Sequence, residues 1–79
     1  MNNEHIELGL YSHYKTGHLY KVVGLAKHSE TLEDMVVYEA QYENKLGKLW
    51  VRPASMFTEM VEWQGKKVRR FEKVSDAVI

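Results

Sequence analysis

The stretch HSETLEDMVVYEAQYE, residues 28–43, admits two readings. As a helix, Ser29 caps the start and Leu32, Met35, Val36 and Ala40 form an apolar stripe at helical spacing. As a strand, Val36, Tyr38, Ala40 and Tyr42 share one face, and Val37, Glu39, Gln41 and Glu43 share the other. The period of two holds from Val36 to Glu43, and its valines and tyrosines suit a pleated surface, so the strand reading prevails. The preceding HSETLED is then a polar loop in which Ser29 or Thr31 caps local backbone.

Working outward toward the N-terminus, LYKVVGLAK (19–27) puts Tyr20, Val22, Gly24 and Ala26 on one face and Leu19, Val23 and Leu25 on the other. This predicts a strand buried on both faces, with Gly24 marking a bulge or a close backbone approach. A strand over Leu10 to Lys15 joins it through a tight hairpin at Thr16-Gly17. Toward the C-terminus, NKLGK (44–48) is a turn, and LWVR (49–52) is a short strand that Pro53 stops because it lacks an amide hydrogen. Ala54 to Phe57 makes one helical turn. TEMVEWQGKKVRRF (58–71) gives two short strands joined at Gln64-Gly65, with Met60 facing away from Val61 and Trp63. The tail from Glu72 is a fraying end or a short helix.

Five or six short strands with no long helical period predict a mainly β domain, a small antiparallel SH3-like barrel with one short helical turn. Closure is expected because so small a sheet cannot leave long edges exposed. The alternative is an open meander that forms a homodimer through an edge. The 79 residues suffice for a single domain spanning 1–79, with its core over roughly 9–72 and frayed tails.

Charge and composition narrow the function classes. Lysines and arginines number 11 and so do aspartates and glutamates, so no global field steers the chain toward nucleic acid or membrane. Without cysteine there is no disulfide, thiolate nucleophile or cysteine-based zinc site. MNNEHIELG lacks the basic and apolar regions of a signal peptide, and no apolar run reaches membrane-spanning length. A cytoplasmic protein is expected.

GLYSHYKTGHLYKVVGLAKHSET (9–31), VVYEA, LWVRPASMF and RRF occur in order with short spacers. As a set these blocks resemble a bacterial family of small domains of unknown function, number 1653, over Gly9 to Phe71. The resemblance implies a compact single-domain bacterial protein and assigns no activity. Thr16 stands where the family favours Gly, and Arg69 where it favours Pro.

Five residues are candidates for a ligand site at one end of the barrel: His13, His28, Glu30, Trp50 and Arg52. Trp50 and Arg52 alternate onto one strand face, where an indole plane and a guanidinium fork suit an anion or a planar ligand. Glu30 is the expected partner of Arg52, orienting it. The leading reading is a binding module for a small anion or a partner's segment. A second is a nucleic-acid binder using Lys66, Lys67, Arg69 and Arg70 beside Trp63 and Phe71. Against it, Glu59, Glu62 and Glu72 offset those charges. A third is a small hydrolase using His28 and Glu30, but contiguous residues on one loop rarely aim into the relay that nucleophile activation needs. The residues lean away from an enzyme. His5, His13, His18 and His28 show no metal-ligand spacing, so no metal and no cofactor are expected.

Overall fold

The computed structural model describes residues 6–76. Seven strands and one helical turn follow in chain order: β1 (Gly9–His13), β2 (Leu19–Lys27), β3 (Asp34–Ala40), β4 (Leu49–Pro53), α1 (Ala54–Phe57), β5 (Met60–Trp63), β6 (Lys66–Arg69) and β7 (Phe71–Ser75). They make an antiparallel five-stranded sheet, ordered β4-β3-β2-β1-β7, and a separate β5-β6 hairpin. No closed barrel is found among the described residues. The large sheet ends at β4 and β7, and the hairpin forms its own ladder.

The stretch 28–43 resolves as a strand in its second half. Val36, Tyr38 and Ala40 are buried while Met35, Val37 and Glu39 are only half-buried, the period of two expected of a sheet with one packed face. The strand runs from Asp34 to Ala40, two residues earlier at its start and three shorter at its end than the alternation predicts.

β2 departs from expectation, because it is not buried on both faces. Val22 alone is fully buried, whereas Val23 and Leu25 are 42% and 58% exposed. The strand also carries a bulge: Val22 pairs with Tyr38 and Gly24 with Val37, leaving Val23 as the extra residue. Gly24 therefore sits at the predicted bulge, but a Cβ there would meet nothing within 4 Å, so no backbone crowds it.

β1 stops at His13 and β2 starts at Leu19, so the connection is longer than a tight turn. His13 N–H donates to the His18 carbonyl at 3.0 Å and Gly17 N–H to the His13 carbonyl at 2.9 Å. In the β5-β6 hairpin, Gln64 and Gly65 have φ of 53° and 82°, the two positive values that a two-residue type I′ turn requires.

The tail beyond Glu72 is neither frayed nor helical up to Ser75. It forms β7, which pairs with β1 through His13↔Phe71, Ser12↔Glu72 and Tyr11↔Lys73. This partner lies some sixty residues away in sequence, and local pattern carries no signal for it.

The core gathers Ile6, Tyr11, Val22, Val36, Tyr38, Phe57 and Phe71, with Tyr20, Trp50 and Ala54 packed against it. Phe57, 1% exposed, is delivered by α1 and stacks on Phe71 at 4.3 Å with the rings 3° from parallel. Burying one such ring contributes about 1.5–3 kcal/mol. The single helical turn thus plugs the concave side of the sheet. No helix among the described residues is long and apolar enough to cross a membrane.

Candidate functional site

The concave face is built on the register of β3 and β4. Val36 pairs with Arg52 and Tyr38 with Trp50, so all four side chains point to the same side of the sheet. Arg52 leans along the sheet toward Tyr38, and its Nε donates to the Tyr38 hydroxyl at 3.3 Å. Its guanidinium carbon lies 5.6 Å from the Phe71 ring centroid, within cation–π range. Phe71 in turn touches His13 edge-on at 5.1 Å.

Arg52 is half-buried, yet among the described residues no carboxylate pairs with it. A guanidinium has five N–H donors, and one is engaged by Tyr38. This leaves the terminal fork, whose geometry matches a carboxylate or phosphate, without a protein counter-charge.

His13 belongs to the same neighbourhood. Its imidazole is held below its ordinary pKa, first by desolvation and then by the positive charges of Arg52 and Arg70, with smaller contributions from His18 and Lys15. It therefore stands there as a neutral ring. Its Nδ1 accepts the Lys15 N–H at 3.2 Å. Trp50 lies half-buried against the core, and its indole N–H donates to the Gly47 carbonyl at 3.1 Å.

His28 and Glu30 are not brought to this site. They belong to the β2–β3 turn, where the His28 Nδ1 accepts the N–H groups of Glu30 and Thr31 at 3.1 and 3.3 Å. The predicted Glu30–Arg52 pair does not form: Glu30 is exposed, and Arg52 turns away from that turn toward Tyr38. Asp34, at the start of β3, pairs with Lys27 at 2.7 Å. Nor do His13 and His18 face each other as ligands, for His18 stacks on Tyr42 with centroids 4.0 Å apart. Among the described residues no three metal-ligating side chains converge, and His5 lies outside them.

The basic hairpin is divided. Arg70 pairs with Glu59 at 3.1 Å, its Nε buried without a partner, so it is structural. Lys66, Lys67 and Arg69 are exposed and enter no ion pair among the described residues. Glu62 stands opposite Lys67 in the ladder.

Sequence reasoning missed Tyr38 and Phe71 as partners of Arg52. The position of Tyr38, two residues along the inner face from Val36, was a usable signal. Nothing local marked Phe71, which arrives from the far end of the chain.

Comparison with known proteins agrees with this architecture. A crystal structure of a DUF1653 protein from Bordetella bronchiseptica is 31% identical, matches 94% of both chains and superposes with a TM-score of 0.84. Among curated proteins none matches this chain. The model of the family described as "Protein of unknown function (DUF1653)" matches residues 9–73, and the chain belongs to that family.

Proposed function

We propose that this chain is a binding module whose concave face holds a small anion, or the acidic group of a partner's segment, at Arg52. The observation that carries the reading is the half-buried Arg52, fixed by Tyr38 and Phe71 and lacking a carboxylate partner among the described residues. A partly desolvated cation is costly unless paired, and an arriving carboxylate supplies the missing charge and two parallel hydrogen bonds. Neutral His13 and the Phe71 ring flank that position and favour a planar group.

The setting belongs to the same proposal. The curl that brings Phe71 of β7 to within 5.6 Å of Tyr38 of β3 is consistent with an SH3-like barrel that stops short of closure. The absence of cysteine and the bacterial origin of the similar crystal structure favour a bacterial, cytoplasmic protein.

Calorimetric titration with benzoate and with inorganic phosphate tests the reading. Saturable binding of either by the wild type should weaken at least about tenfold, roughly 1.4 kcal/mol, in Arg52→Gln. Equal heats from the two proteins would remove Arg52 from any binding role.

A second reading is favoured by one observation, the unpaired Lys66, Lys67 and Arg69 on the exposed hairpin. Binding of an oligothymidylate that collapses between low and moderate salt would support nucleic acid. It ranks below the first because Glu62 stands opposite Lys67 in the ladder and offsets its charge. A hydrolase built on His28 and Glu30 ranks last, since backbone donors already occupy the His28 Nδ1.

A further inference from the structure

We infer that the cleft beside the β5-β6 hairpin binds a small zwitterion with a planar side chain, of the free aromatic amino acid class, at a site separate from Arg52. The cleft holds about 300 Å³, the lower end of the range for small-molecule sites. Ser12, His13 and Tyr14 wall it from the β1 side, Trp63 and Arg69 from the hairpin, and Glu72 from β7; His13 also borders the Arg52 position, but Arg52 does not reach this cleft.

Tyr14 and Trp63 meet edge to face, with centroids 5.4 Å apart and planes at 82°. Both are half-buried, so the aromatic wall is held in place yet open to the cleft. A planar side chain finds a stacking surface there.

The charges select the rest of the ligand. Arg69 and Glu72 are both exposed and both wall this cleft, and neither enters an ion pair among the described residues. A simple anion would meet the Glu72 carboxylate, and a simple cation would meet Arg69. A ligand carrying an ammonium and a carboxylate on one carbon satisfies both, the carboxylate on the guanidinium fork and the ammonium on Glu72.

A neighbouring cleft of about 360 Å³ shares Arg69 and Glu72. It is the poorer candidate, because it lacks the Tyr14–Trp63 wall, its further cation Lys73 is already held by Glu7 and Asp76, and its floor of Ile6, Tyr11 and Phe57 is closed core.

The test is a titration of L-phenylalanine into Trp50→Phe protein, in which Trp63 is the remaining tryptophan, followed by its emission excited at the red edge. The proposal expects a saturable change, weakened about tenfold or more by Arg69→Gln and by Glu72→Gln and unaffected by Arg52→Gln. L-Phenylalaninamide and N-acetyl-L-phenylalanine, each missing one charge, should bind comparably weakly. If Trp50→Phe does not fold, the indole N–H signals in nitrogen-edited NMR of the wild type provide the same readout. Absence of a saturable shift, equal binding of the N-acetyl compound, or loss of binding in Arg52→Gln overturns the proposal. So does a Trp63 response to an oligothymidylate with none to L-phenylalanine.

Discussion

The Nε of Arg52 donates to the hydroxyl of Tyr38 at 3.3 Å, diagonally across the β3-β4 ladder, since Arg52 itself pairs with Val36 and Tyr38 with Trp50. Tyr38 is 5% exposed, so its hydroxyl is a fixed point on the inner face and Arg52 is positioned by it. Tyr38→Phe should lower stability by about 0.5–1.5 kcal/mol in urea denaturation, the usual net value of such a bond. It should also weaken any anion bound by Arg52, because the guanidinium is then free to swing.

Glu30 and Arg52 do not touch, and their effects should be independent. A double-mutant cycle of Glu30→Gln and Arg52→Gln on stability should be additive within about 0.5 kcal/mol, as for residues without shared partners. Coupling well beyond that would mean the two side chains meet in solution.

Gly9 opens β1 at φ +138°, and a Cβ there would lie 2.6 Å from the Ser75 carbonyl oxygen of β7. Both the backbone conformation and the close strand approach exclude a side chain. Gly9→Ala should cost at least about 2 kcal/mol, beyond the range of ordinary surface changes. Gly24→Ala, where nothing stands within 4 Å, is the matched control and should be nearly neutral by thermal melting.

Leu32 adopts φ +65° in the β2–β3 turn with its side chain 67% exposed, so it bears left-handed strain with little packing in return. Its N–H bond to the His28 carbonyl, 2.8 Å, uses backbone only and survives substitution. Leu32→Gly should raise stability by roughly 0.5 kcal/mol, the strain relieved exceeding the added flexibility of the unfolded chain. A lower midpoint in guanidinium would contradict this.

His13 makes stability depend on pH in a defined direction. Burial, then Arg52, Arg70, His18 and Lys15, lower its folded pKa below the ordinary 6.5. As pH falls below that value the unfolded chain takes up a proton before the native state does, so the contribution is full above about 6.5 and is lost toward the folded pKa. His13→Gln should flatten the fall in melting temperature on acidification across that window. An unchanged slope would show that other groups cause it.

Much of the local structure was legible in the sequence for identifiable physical reasons. The alternation of Val36, Tyr38 and Ala40 reported a sheet with one packed face, because side chains on a strand point to opposite sides in turn. Gly65 reported a hairpin because glycine takes positive φ without steric cost, and Ala54–Phe57 formed the predicted turn of helix after Pro53. Of the site, the sharing of one face by Trp50 and Arg52 followed from the same alternation.

What the tertiary structure alone decided involves partners distant in the chain or choices of side-chain direction. The pairing of β7 with β1 and the stacking of Phe71 on Phe57 bring together segments whose attraction depends on how the sheet curls, and a window of neighbouring residues contains no trace of it. The bulge at Val23 shifted the register of β2 and set Leu25 opposite Val36, where strict alternation gives it the other face, since one extra residue reverses every facing beyond it. Arg52 had carboxylates within reach in sequence pattern but chose Tyr38 and Phe71, because a flexible side chain settles where the folded surface offers a hydroxyl and a ring face, and only the assembled concave face offers both.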